Sequence, residues 1–111
     1  MPFVVTKKET FWWPVKIKLI ADNDYSEGEF NALFKHLSVS QFLELINDPN
    51  KNDFETMKSI LVGWSDLKLA DGSEVPFDAE RLVEYNDIMG FTPSVLRAYY
   101  DAVNGAARIK N

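Results

Sequence analysis

Leu61–Arg81, LVGWSDLKLADGSEVPFDAER, carries three structural events in close succession. An apolar helix face is expected to end at Gly63–Trp64, a short extended pair to turn at Asp71–Gly72, and a new helix to start at Asp78. Asp–Gly is a strong turn signal, because glycine tolerates positive φ and aspartate bonds its own backbone. Asp78, after Pro76–Phe77, has the chemistry of an N-cap, its carboxylate accepting from the first free amides of the following helix. The stretch is a scaffold with no reactive device in it, which points to a protein that works by offering a surface.

Upstream, Pro14–Ile20 (PVKIKLI) alternates: Val15, Ile17 and Leu19 share one face, Lys16 and Lys18 the other. That pattern reads as a half-buried strand starting at Pro14, where a missing amide is tolerable. Ala21–Ser26 supplies turn chemistry. The next segment has two readings. Phe30, Leu33, Phe34 and Leu37 fall at helical spacing, with Ser26 and Glu29 as a capping box, whereas Phe30, Ala32, Phe34 and His36 would form one strand face.

Helical signals are clearer from Ser38 on. Ser38–Gln41 reads as a capping box opening a helix that ends near Asp48–Pro49. Asp53 is expected to cap a second helix with Phe54, Met57, Leu61 and Trp64 as its stripe, and Asp78 a third with Leu82, Tyr85 and Met89 on one side. Thr92–Pro93 is expected to open the last, Thr at the cap and Pro at the first position, with Val95, Leu96, Tyr99, Tyr100 and Val103 as a wide apolar face and Asn104–Gly105 as the stop. The expected fold is α+β: an N-terminal antiparallel β-hairpin followed by three or four short packed α-helices.

Composition sets the frame. The 111 residues are 46% hydrophobic and 14% aromatic, globular values that suit one domain spanning 1–111, with 1–10 as an arm and 106–111 as a tail. The chain has no cysteine, which excludes disulfides, thiolate metal sites and cysteine nucleophiles, and suits a reducing cytoplasm. Met1–Phe3 followed by Lys7–Lys8 lacks the order of a secretory signal, and no apolar run approaches membrane-spanning length. A net charge of −5 disfavours nucleic acid as the main partner, although Lys16 and Lys18 share a strand face.

No constellation for chemistry survives inspection. The loop Asp48–Asp53 imitates the start of a calcium loop, but the sixth position is Asp53 where glycine is required and the twelfth is Ser59 where glutamate is required. His36 is the only histidine, too few for zinc, and no nucleophile elbow or glycine-rich phosphate loop is present. The expectation is a non-enzyme with no catalytic residue, cofactor or metal. The large rings stand out instead. If Val15, Ile17 and Leu19 point inward, Trp13 joins them and Trp12 points out, either as an anchor for a partner or packed under the arm Phe3–Val5. Trp64 and Tyr99 are expected in the core, and Tyr99–Tyr100 to place one ring inside and one outside.

The order of these pieces resembles a family. A GW…DG…PF block before a helix, a Tyr-rich terminal helix, a small-residue and basic tail, Trp13–Pro14–Val15 opening a strand, and FNALFKHLS at Phe30–Ser38 together look like the small tail assembly chaperones of long-tailed phages and prophages. The resemblance runs from Phe11 to Asn111. It implies a strand at Phe30–Ser38 paired with the first as a hairpin, and that reading is adopted here. It also implies a non-enzymatic protein in the host cytoplasm whose partner is the long, largely helical tape-measure protein, with the tail tube protein as the second candidate partner and Trp12, Trp13, Tyr100, Arg108 and Lys110 as candidate contacts. The rival reading is a nucleic-acid-binding or regulatory module of a phage, using Lys16, Lys18 and neighbouring rings.

Overall fold

The computed structural model describes residues 2–5 and 8–105. Its elements run β1 (Thr10–Ala21), β2 (Asp24–Lys35), α1 (Val39–Ile46), α2 (Asp53–Ile60), β3 (Leu61–Ser65), α3 (Ala79–Asn86) and α4 (Phe91–Asn104). The architecture is α+β, an N-terminal antiparallel hairpin extended by a third strand and accompanied by four helices.

The segment with two readings is a strand. β1 and β2 pair antiparallel from Thr10↔Lys35 to Ala21↔Asp24, closed by Asp22–Asn23 with Asn23 at φ 60°, a left-handed conformation asparagine tolerates. The turn is therefore tighter than the expected Ala21–Ser26, and the Ser26–Glu29 capping box does not form because both residues lie inside β2. Pairing with β1 decides the outcome: Phe30, Ala32 and Phe34 all reach the core, which a period of two achieves and a helix would not. His36 lies beyond the strand end and is exposed. Pro14 is not at the start of β1 but five residues in, opposite Asn31. It is tolerated there because β1 is an edge strand in the order β1-β2-β3, where an amide facing outward has no ladder to complete.

The expected helix through Trp64 stops at Ile60, and Leu61–Ser65 is instead β3, paired antiparallel with β2. Phe34 pairs with Leu61 and Leu33 with Gly63, so Val62 is an extra, bulged residue. The bulge brings Leu61 and Trp64 to the same buried face although they are three residues apart, a spacing that imitates a helix.

The Asp71–Gly72 turn forms as expected: Lys68 bridges Glu74, Val75 N donates to Leu67 O at 2.8 Å, and Gly72 sits at φ 91°. Ser73 donates to Asp71 Oδ1 through both Oγ (2.6 Å) and N (2.9 Å), holding that carboxyl below its usual range. Asp78 caps α3 by accepting from Arg81 N at 2.8 Å, and Ser38 caps α1 in a full capping box with Gln41.

Three helix ends differ from expectation. Asn52, not Asp53, caps α2, accepting from Glu55 N at 2.8 Å, so the ring stripe starts one residue inside the helix. α3 closes at Asn86, which leaves Met89 outside it and exposed. α4 starts at Phe91 with Gly90 as its N-cap, so Thr92 is inside the helix, buried, and spends its hydroxyl on Asn86 Oδ1 at 2.6 Å. Gly105 at φ 68° ends α4 as expected.

The core lies between the inner face of the sheet and the helices. Val15, Phe30, Ala32 and Phe34 meet Met57 and Ile60 of α2 and Val95, Leu96 and Tyr99 of α4, all buried. Each of these side chains larger than that of Ala32 contributes about 1.5–3 kcal/mol on burial. Among the described residues, no helix is long and apolar enough to cross a membrane.

Candidate docking groove

One concavity stands out for its apolar lining. β1 contributes Phe11 and Trp13 from its inward face, the corner between β2 and α1 contributes His36 and Leu37, α1 contributes Val39, Phe42 and Leu43, and α4 contributes Tyr99, Ala102 and Val103. The volume is about 690 Å³. That lies in the 300–1,000 Å³ span of ordinary ligand clefts, and a helix or strand segment can enter the same kind of space.

The floor is a cluster of rings that stiffen one another. The Phe11 ring stacks on Tyr99 at 6.1 Å and lies 5.8 Å from both Phe34 and His36, and Phe42 sits 6.2 Å from Tyr99. Tyr99 is wholly buried, and its hydroxyl donates to Lys35 O at 3.1 Å. Burial pushes its phenol above the ordinary value, so it stays neutral. Among the described residues, the only ionisable groups besides Tyr99 that line the groove are Lys8 and His36. The His36 ring bonds to Lys8 O at 3.0 Å, which requires the proton on Nδ1, and His36 N donates to Glu9 O at 2.8 Å. These two bonds fasten the entry of β1 to the start of α1 and form the groove's closed corner. Several residues around the opening are apolar and open to solvent: Leu43 is 48% exposed and Val103 39%.

The structure separates the candidate contacts read from the sequence. Trp13 lines the groove, with its ring 6.5 Å from Phe11. Trp12, 55% exposed, points to the opposite face of the sheet, and the arm residues Phe3, Val4 and Val5 are themselves exposed. Tyr100 lies outside the groove, half-buried with its ring 6.0 Å from Phe42, and burial together with the nearby Asp53 carboxylate raises its pKa. Arg108 and Lys110 lie outside the described residues. Phe42, Leu43 and Val103 were not singled out as contacts. The available signal was α1 itself, which leaves Val39, Leu43 and Ile46 exposed although it has a helical apolar stripe.

The lysine stripe is locally balanced. Lys16 stands opposite Glu29 and Lys18 opposite Glu27 in the hairpin register, and Lys18 Nζ lies 4.9 Å over the Tyr25 ring. In the loop resembling a calcium site, Asp48 Oδ1 accepts from Asn50 N and Asn52 Oδ1 caps α2, so both oxygens already serve the chain's own amides. Among the described residues, no group of three or more His, Asp or Glu is placed to hold a metal ion.

Comparison of the chain with protein-family models, with curated proteins and with solved structures found no match.

Proposed function

We propose that the protein is a non-enzymatic tail assembly chaperone of a long-tailed phage or prophage, and that it keeps the tape-measure protein soluble until the tail tube polymerises around it. The resemblance supplies the partner. The observation that carries the reading is the apolar groove with exposed Leu43 and Val103 beside its opening. A long helical protein waiting for its tube exposes apolar stripes, and exposed stripes aggregate. An amphipathic helix laid into a ring-floored groove hides such a stripe, while the chain's net charge of −5 favours solubility of the complex. A groove whose lining residues Leu43 and Val103 stay exposed to solvent fits a reversible chaperone, since in this role tube subunits displace it. Opposed glutamates on the lysine stripe give the rival nucleic-acid reading no comparable support.

The test is co-expression with a tape-measure protein, the partner that the resemblance implies. The expected result is a larger soluble fraction of tape measure, lost when Leu43→Asp or Val103→Asp places a charge at the groove. Both positions are exposed, so the fold should tolerate them. A tape measure that stays as insoluble with the chaperone as without it refutes the reading.

A further inference from the structure

The core lies on one face of the sheet, and the other face is largely exposed. Trp12 is on that outer face, 55% exposed, and the period of two puts Lys16, Lys18 and Ile20 there as well. Residues directly opposed in an antiparallel pair share a face, so β2 adds Leu33 opposite Trp12, Glu29 opposite Lys16, Glu27 opposite Lys18 and Tyr25 opposite Ile20. Ile20 and Tyr25 are 69% and 57% exposed. The face is therefore apolar at both ends and charged in the middle, with each sign confined to one strand: lysines on β1, glutamates on β2. Neither opposed pair closes within the molecule, since the ion pairs among the described residues are Lys58–Glu55 and Arg81–Glu80. These four charges sum to zero, so the chain's net charge of −5 lies elsewhere and two copies repel least across this face.

We propose that this face is the contact between two copies of the chain, related by a two-fold axis that runs along the strands between β1 and β2. That rotation lays β1 of each copy over β2 of the other at the same level. Lys16 then faces Glu29 of the second copy and Lys18 its Glu27, while Trp12 faces Leu33 and Ile20 faces Tyr25. A two-fold axis across the strands would set lysine over lysine and glutamate over glutamate, so the charge pattern selects the first axis. Pro14, which has no amide to donate, blunts the outer edge of β1 against strand addition and leaves the face as the route of association. Trp12 to Ile20 spans about 27 Å of strand, which over two strands buries about 500 Å² per copy, or about 1,000 Å² in all. That is the lower limit of a specific interface, so the dimer is weak and reversible. The groove lies on the other side of the sheet, so both grooves of the pair stay open, and a partner with two docking segments is held by both. The inference rests on the sheet face alone and not on the preceding reading.

Exchanging the two charge rows gives the test. The variant carrying Lys16→Glu, Lys18→Glu, Glu27→Lys and Glu29→Lys keeps every opposed pair within the hairpin and the net charge of the chain, so it should fold as the parent does. It should also dimerise with itself. In a mixture with isotope-labelled parent, however, a mixed dimer would set like charges together, and native mass spectrometry should find it at least about tenfold rarer than chance pairing gives. Mixed dimers at their statistical share overturn the proposal. Sedimentation of the parent from about 10 μM to about 1 mM should show a reversible monomer–dimer equilibrium. Trp12→Ser, at an exposed position where folding should survive, should raise the dissociation constant at least about tenfold. A parent that stays monomeric throughout, that grows beyond the dimer, or that associates equally well with Trp12→Ser also overturns it, the last because another surface, such as the exposed Phe3–Val5, would then make the contact. No partner is present in these assays, so their failure leaves the tape-measure reading standing, and failure of co-expression leaves the dimer standing.

Discussion

Replacing Trp64 with phenylalanine should cost the fold more than replacing any other tryptophan. Trp64 is 8% exposed, and its Nε1 donates to Val75 O at 2.8 Å, which ties the Leu67–Val75 turn to the sheet. Its ring meets Phe77 edge-on at 4.7 Å and stacks on Tyr85 at 6.0 Å. Phenylalanine keeps an aromatic ring but has no donor, so the carbonyl of the buried Val75 is orphaned, at about 1–3 kcal/mol. The smaller ring weakens the contact with Phe77, itself worth about 0.5–1.5 kcal/mol, and leaves a void beside it. The sum is about 2–4 kcal/mol, from a total stability of about 5–15 kcal/mol for a domain of this size. Urea unfolding followed by far-UV circular dichroism measures it, with Trp12→Phe as the reference, because exposed Trp12 should change by no more than about 0.5 kcal/mol. The midpoint should fall for Trp64→Phe with the denaturant slope unchanged. If the two variants unfold at the same urea concentration, the indole is not what fastens the turn to the core, and the account of Leu61–Arg81 fails.

Two further outcomes follow from single atoms. Gly90 sits at φ 99°, and a Cβ there would stand 2.9 Å from Lys18 O, whereas Gly72 at φ 91° has open space around its Cβ position. Both Gly90→Ala and Gly72→Ala should destabilise through backbone strain of about 1–3 kcal/mol, with Gly90→Ala the larger because β1 must also shift; equal thermal midpoints for the two would refute the close approach. Tyr99 has its pKa raised by burial, so the folded chain holds that proton more tightly than the unfolded chain. Its contribution is therefore complete below the unfolded value near 10 and is lost as pH rises from there through the folded pKa. Stability measured by urea unfolding across this alkaline window should decline, and Tyr99→Phe should flatten the decline while lowering stability at neutral pH by about 1 kcal/mol through the lost bond to Lys35 O. An identical alkaline slope in the two proteins would show that Tyr99 does not titrate with unfolding.

How much of this was legible in the sequence depends on how local each signal is. Ser38, Asp71–Gly72, Asp78 and Gly105 act through neighbours within a few residues, and each behaves as its chemistry dictates. β3 was illegible because a bulge at Val62 gave a strand the three-residue spacing of a helix, and the information that overrules that spacing lies in β2, some thirty residues upstream in sequence. The start of α4 was misplaced for a related reason: Thr92–Pro93 has the local chemistry of a cap, but Thr92 is buried against Asn86, and Gly90 can occupy the left-handed conformation beside Lys18 O that no larger residue could.

The groove belongs to the same non-local class, and this bears on where contacts should be sought. Ring counting singled out Trp12, Trp13 and Tyr100 by their size, yet these point to three different places. What gathers an apolar surface is the convergence of three elements: β1 turns Phe11 and Trp13 inward, α1 leaves Leu43 uncovered, and α4 ends beside both. None of these segments is unusual alone, since an exposed leucine on a short helix or a half-buried ring on an edge strand is common. The sheet, by fixing β1 against β2, and the His36 corner, by fastening the entry of β1 to the start of α1, convert three unremarkable faces into one site. A substitution that loosened the corner while leaving every lining side chain in place should therefore weaken the proposed docking as much as loss of a ring.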